Sequence, residues 1–126
     1  MALSDDLKTT IDRFLSEVAM LSPEDFAANE RFGVANHQTG KAARALIKLG
    51  AADFAWIDKR ARDAIGPRLS EIRTAGPMVS AGAPLRAITA AQAIVKRDKL
   101  TAEQYEAFVG GYRQVGVRVP EHGAVE

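Results

Sequence analysis

Histidine, the side chain that most often moves protons near neutral pH, occurs only twice in these 126 residues, at His37 and His122. His37 falls between two predicted helices, and His122 falls near the C-terminus. Neither has a histidine or carboxylate partner at the spacing of a metal site. We therefore expect structural or surface roles for both, and we predict no catalytic residue, no metal and no cofactor.

Two carboxylate pairs have a spacing that acid–base chemistry could use. Asp58 and Asp63 flank two arginines, and Glu103 and Glu106 lie one helical turn apart. The charged surface of a helix produces such pairs by default. They would act as acid and base only if burial perturbed their acidity. The chain also lacks cysteine, which excludes catalytic thiols and disulfides. The sequence leans against an enzyme without deciding the question.

The run Thr39-Gly40-Lys41 invites comparison with a phosphate-binding loop. A P-loop requires glycine at position 35 and serine or threonine at position 42, and the chain has Ala35 and Ala42 there. No apolar strand precedes the run, so we reject the P-loop. A simpler anion site, made from helix-start amides near Thr39 together with Lys41, stays open as a hypothesis.

A second candidate anion site lies beside the segment 76–84. The segment contains two glycines, Gly76 and Gly82, and two prolines, Pro77 and Pro84, which together predict a long loop there. Arg73 and Arg86 flank this segment. They could meet an anionic ligand in a pocket beside the loop, which gives a ligand-binding or catalytic domain as the alternative function.

The segments 41–49 and 53–65, joined by a turn at Gly50, have the outline of a helix-turn-helix. The second segment mixes its bases with acids: Lys59, Arg60 and Arg62 against Asp53, Asp58 and Asp63. These acids would cancel much of the phosphate attraction that dominates nucleic-acid affinity. Nucleic-acid binding is therefore the third interpretation.

Trp56 is the most informative single residue. At helical spacing it points about 160° away from the apolar stripe of its own segment. Three interpretations stay open for it. Another element of the chain covers the ring, Arg60 stacks on it, or the ring anchors a partner. The last interpretation makes Trp56 and Arg60 interface residues.

Charge is distributed unevenly along the chain. Residues 1–30 carry seven acids and two bases, residues 31–99 carry thirteen bases and five acids, and residues 100–126 carry two bases and four acids. This pattern predicts either an anion-binding face or acidic helices that pack beside basic ones within one molecule or dimer. We favour the second interpretation.

Apolar periodicity and capping residues predict about six helices. We expect them near residues 3–21, 22–33, 36–50, 53–72, 84–99 and 101–112. The stripe from Phe54 to Ile72 keeps its phase through Gly66-Pro67. This predicts one long central helix with a kink, or two nearly collinear helices, instead of a change of direction. The sequence thus predicts an all-α, single-domain bundle or orthogonal array over residues 1–116. A C-terminal tail, 117–126, should have little to bury.

The first choice of function is a non-enzymatic helical interaction domain that self-associates, most simply as a dimer. The poverty of catalytic residues, Trp56 and the charge distribution favour it. The N-terminus shows no signal-peptide pattern, and no apolar stretch approaches the ~20 residues of a membrane span. We therefore expect a cytoplasmic protein with no membrane partner. The sequence identifies neither a ligand nor a partner.

Overall fold

The computed structural model describes residues 3–32 and 37–123, with the backbone alone at 37–40. Within those ranges the chain is helical and contains no strand, which confirms the predicted all-α class. Six helices have ten or more residues: α1 Asp5–Ala19, α2 Pro23–Phe32, α3 His37–Leu46, α4 Ala51–Ile65, α6 Pro77–Val95 and α7 Ala102–Gln114. A short helix, α5 Leu69–Ile72, lies between α4 and α6.

The predicted capping residues begin their helices in the expected way. The Ser4 hydroxyl accepts from the Leu7 amide at 3.1 Å, and Ser22 caps α2 with the same bond. Thr101 and Gln104 form a reciprocal capping box at the start of α7. Each bond satisfies an amide that has no partner inside the helix. Local sequence therefore sets where these helices start.

The Gly66-Pro67 step interrupts the central helix but does not reverse the chain. Helix α4 passes into a 3-10 turn, Gly66–Arg68, and then into α5, with Gly66 itself in the right-handed helical region (φ −49°, ψ −46°). Proline fits at the start of such a turn because its missing N–H has no bond to make there. Four stripe residues are completely buried: Ile57, Ala61, Ile65 and Ile72. The prediction of one interrupted helix is confirmed.

The prediction of a loop over residues 76–84 is wrong. Helix α6 begins at Pro77 and contains Pro84 in its interior. Gly76, with φ +137°, makes the turn just before α6, a conformation that glycine alone adopts readily. Pro77 occupies the first turn of the helix, where proline is favoured. Pro84 removes one intrahelical hydrogen bond, but it is buried and packed. The free energy gained by burying this alanine-rich segment in the core outweighs the loop preference of its glycines and prolines.

Helix α6 is the centre of the bundle and packs against α1, α2, α4, α5 and α7. Its small buried residues permit close approach by these neighbours: Ala83, Ala87, Ala90, Ala91 and Ala93. By length and composition alone, α6 could also cross a membrane. Half of its apolar window is buried inside the protein, as in any core helix, so this is weak evidence for a span.

Part of the predicted C-terminal tail packs on the bundle. Val117 is 3% exposed, so the expectation that the tail buries little is wrong at this residue. Arg118 donates from its backbone amide and its Nε to the Glu17 carboxylate of α1, at 2.9 and 2.8 Å. The Tyr105 hydroxyl donates to the Pro120 carbonyl at 2.6 Å. These bonds hold the segment against α1 and α7.

Candidate functional site

A cleft of about 520 Å³ opens between α2, α6 and α7, with Arg44 of α3 also lining it. We call it the α2–α6–α7 cleft. Its lining residues are Asn29, Glu30, Phe32, Arg44, Gly82, Leu85, Arg86, Thr89, Ala107, Phe108 and Tyr112. The volume lies in the range of small-molecule sites, which are mostly apolar with a few placed polar groups. Phe32, Leu85 and Phe108 supply the apolar part here, and the polar groups come from all four helices.

Tyr112 supplies a buried polar group to this cleft. Its side chain is 1% exposed, and its ring packs edge-on against Phe14 with centroids 5.2 Å apart. Its hydroxyl makes no hydrogen bond of good geometry, although the Asn29 side chain lies close enough for a weaker hydrogen-bonding contact that lowers the pKa of the tyrosine. Burial raises the pKa of Tyr112 well above the ordinary value for tyrosine, against smaller lowering effects of Arg86 and Asn29. The hydroxyl is therefore protonated at neutral pH and is a donor in the wall of the cleft, covered from solvent.

Arg86 places a positive charge in the same cleft. Its Nη2 donates to the Val79 carbonyl at 2.8 Å, and its Nη1 lies 3.9 Å from Oε1 of Glu30. The second distance is longer than a hydrogen bond, so Glu30 attracts the guanidinium without occupying its donors. Side chains on a helix point toward its N-terminus, and Arg86 therefore runs back across Gly82. A methyl group at Gly82 would overlap the guanidinium.

Two consecutive glycines in α7 allow α2 to form the opposite wall. A Cβ at Gly110 would lie 2.7 Å from the Phe32 ring, and a Cβ at Gly111 would overlap the Asn29 amide. Asn29 is 6% exposed. Glycine costs helix stability at these positions, but it brings Asn29 and Phe32 to the cleft. The Gly-Gly pair is the sequence signal for this close approach of α2 and α7.

Among the described residues of the two predicted anion sites, Arg86 is the one that lines this cleft. Arg86 lines the α2–α6–α7 cleft, whereas Arg73 and Lys41 are exposed and lie outside its lining. The Thr39 side chain lies outside the described part of the chain, as does that of His37. The pocket beside Arg86 thus borders helix α6 instead of a loop. Asn29, Glu30 and Tyr112 were missed, because α2 and α7 lie far apart in sequence.

Trp56 is partly buried and packs against the core of its own chain. The Arg60 guanidinium lies 4.6 Å from the ring centroid, and the Lys8 ammonium of α1 lies 5.5 Å from it. Arg60 also pairs with Asp12 at 3.4 Å. The ring is therefore covered by α1 and stacked with Arg60, which are two of the three roles expected for it. Its role as an interface anchor stays a prediction.

Three of the four carboxylates suggested for acid–base chemistry form ion pairs on the surface, and the fourth, Glu103, is exposed. Asp58 pairs with Arg62 at 3.0 Å, Asp63 with Lys59 at 2.7 Å, and Glu106 with Arg113 at 2.8 Å. The first two pairs join ordinary helix neighbours four residues apart, and surface pairs of all three kinds contribute little to stability. Among the described side chains, no group of three or more histidine or acidic residues could hold a metal ion.

No protein-family model, no curated protein and no solved structure matches this chain. Its function is therefore inferred from the cleft alone.

Proposed function

We propose that this protein binds a small organic acid with an apolar body in the α2–α6–α7 cleft, and that it binds the acid without transforming it. The buried Tyr112 hydroxyl, which has no partner in the structure, is the observation that carries the proposal. Leaving a buried hydroxyl unpaired costs about 1–3 kcal/mol. A ligand oxygen that accepts from Tyr112 would remove that cost on binding.

The charge of the cleft favours an anion. Two arginines, Arg44 and Arg86, and one carboxylate, that of Glu30, are in its lining. The ionised side chains of the cleft therefore carry one net positive charge. The phenyl rings of Phe32 and Phe108 and the 59% exposed Leu85 offer apolar surface next to these charges. A ligand that matches both features has an acidic head and an apolar body.

The test compares two fluorescent probes that differ in charge. 8-Anilinonaphthalene-1-sulfonate is an anion, and N-phenyl-1-naphthylamine is its uncharged counterpart. We expect Arg86→Met to weaken sulfonate binding about tenfold and Tyr112→Phe about fivefold, since each loses a hydrogen bond to the acidic head. Binding of the uncharged probe should change in neither variant.

Arg62→Met is the matched control, because it removes an exposed arginine of α4 outside the cleft. Urea unfolding of each variant measures whether its fold is intact. This control is needed because a loosened fold would bind both probes more strongly. If the wild-type protein binds no sulfonate, or if Arg86→Met and Arg62→Met behave alike, the proposal is wrong.

Self-association, the first choice from the sequence, is a second candidate function. Helix α6 carries two exposed apolar side chains seven residues apart, Met78 at 74% and Leu85 at 59%. This spacing places them on one face of the helix. Such a face supports association with a second copy of the chain.

A further inference from the structure

We infer that the ligand of the α2–α6–α7 cleft carries a single negative charge, and that Glu30 is the residue that rejects doubly charged acids. The inference rests on the proposed function and names the class of acid. It covers carboxylates and sulfonates on an apolar body and excludes phosphate monoesters and dicarboxylates.

The donors of the cleft match a head group with one charge. Arg86 already gives Nη2 to the Val79 carbonyl, and Arg44, the other arginine of the lining, has an exposed side chain. The remaining nitrogens of Arg86 are therefore the less exposed charged donors that a ligand would meet. Tyr112 adds a protonated hydroxyl and Asn29 adds a neutral side chain, both more than nine-tenths buried. Neutral donors can bind the second oxygen of the head group, but they do not offset a second full charge.

Glu30 reduces the attraction that Arg86 exerts on an anion. Its Oε1 lies 3.9 Å from Nη1 of Arg86, and its side chain is 33% exposed in the same cleft. The Coulomb energy of a ligand in the combined field of these two groups grows in proportion to its charge. The cost of removing the ligand from water grows with the square of its charge. Because Glu30 weakens the attraction, a second charge on the ligand raises its desolvation cost by more than it adds to the Coulomb attraction.

Two naphthalene acids with tetrahedral head groups test this selection. 1-Naphthalenesulfonate carries one charge, and 1-naphthyl phosphate carries two at pH 8, since the second pKa of phosphate monoesters is near 6. Each is titrated against bound 8-anilinonaphthalene-1-sulfonate at low salt, where screening is weakest. We expect the wild-type protein to bind the sulfonate at least about fivefold more tightly than the phosphate.

Glu30→Gln should bring the two affinities together. Removing one repulsive charge should strengthen sulfonate binding about threefold and phosphate binding about tenfold, because the same potential acts on twice the charge. Glu24→Gln is the control: it removes the same charge from an exposed position of α2 outside the cleft, and it should leave the ratio unchanged.

The outcomes separate the two claims. Equal binding of both acids by the wild-type protein, or a ratio that Glu30→Gln leaves unchanged, overturns the role of Glu30 while the cleft remains an anion site. Failure of either acid to displace the fluorescent probe, with direct sulfonate binding also absent, overturns the proposed function itself.

Discussion

The two buried tyrosines show how the surroundings of one hydroxyl decide its role. The Tyr105 hydroxyl donates to the Pro120 carbonyl and so fastens the C-terminal segment to α7. The Tyr112 hydroxyl has no such partner and lines a cleft. Both are aromatic core residues by periodicity, and the sequence offered no reason to separate them. The two hydroxyls differ because Tyr105 faces the C-terminal segment, whereas Tyr112 faces the cleft beside α2 and α6.

Both tyrosines predict a loss of stability at alkaline pH. Burial raises the pKa of Tyr105 to about 12, and it raises the pKa of Tyr112 further. In the unfolded chain a tyrosine ionises near pH 10. Above that pH the unfolded state binds fewer protons than the folded state. The stabilising contribution is therefore complete below pH 10 and is lost as the pH rises toward 12.

Urea unfolding between pH 9 and 11.5 measures this effect. Each tyrosine should lower the free energy of unfolding by up to about 1.4 kcal/mol per pH unit in that window. Tyr112→Phe and Tyr105→Phe should each remove about half of the slope, whereas lysine ionisation is common to all three proteins. Phenolate absorbance that appears at pH 10 in the folded protein would contradict the prediction.

At the scale of helices, two glycines with similar surroundings should respond differently to alanine. A methyl group at Gly82 would overlap only the guanidinium of Arg86, the far end of a flexible side chain. Gly82→Ala should leave stability unchanged or raise it by up to ~1 kcal/mol through helix propensity. It should also weaken sulfonate binding about fivefold, because the methyl group displaces the guanidinium from its position in the cleft and one hydrogen bond from it to the acid is worth about 1 kcal/mol.

Gly111→Ala is the counterpart in α7. Its methyl group would overlap the Asn29 amide and lie 3.0 Å from Cβ of Phe32. That Cβ is fixed to the backbone of α2, so the two helices would have to separate. Overpacking of this kind typically costs about 1–3 kcal/mol. Equal urea midpoints for the two alanine variants would show that α2 and α7 are not in the close contact described here.

The sequence predicted the elements better than it predicted the site, for physical reasons. Helix starts at Ser4, Ser22 and Thr101 depend on bonds within three residues, so local reasoning finds them. The start of α6 was missed because its stability comes from burial, which neighbouring residues do not reveal. The cleft was missed except for Arg86, since the contact of Asn29 with Tyr112 depends on how α2 and α7 pack.

At the scale of the whole molecule, the uneven charge along the chain is partly neutralised within one copy. Acids of the first thirty residues reach bases elsewhere through Asp12–Arg60 at 3.4 Å, Glu17–Arg118 at 2.8 Å and Glu30–Arg86 at 3.9 Å. These contacts support the interpretation that acidic helices pack beside basic ones. They also reduce the electrostatic reason for a second copy, so an apolar face has to carry any self-association.

The exposed apolar face of α6 is the surface on which we expect a dimer to form. Met78 and Leu85 are both more than half exposed on it, and a two-fold axis would pair this face with itself. Light scattering on the wild-type protein at high concentration should then give the mass of a dimer. Met78→Ser should shift the mass toward that of a monomer. Met20→Ser is the matched control, because Met20 is 83% exposed at the end of α1, away from this face.

Trp56→Ala separates this dimer from the one first expected. The ring packs against the core of its own chain and is flanked by Lys8 and Arg60. Its removal should therefore lower the free energy of unfolding by about 3 kcal/mol and leave the dimer mass unchanged below the melting temperature. A monomeric but equally stable Trp56→Ala protein would identify the tryptophan as the anchor. A wild-type monomer at every concentration would remove self-association altogether, and ligand binding in the α2–α6–α7 cleft would then be the first candidate function.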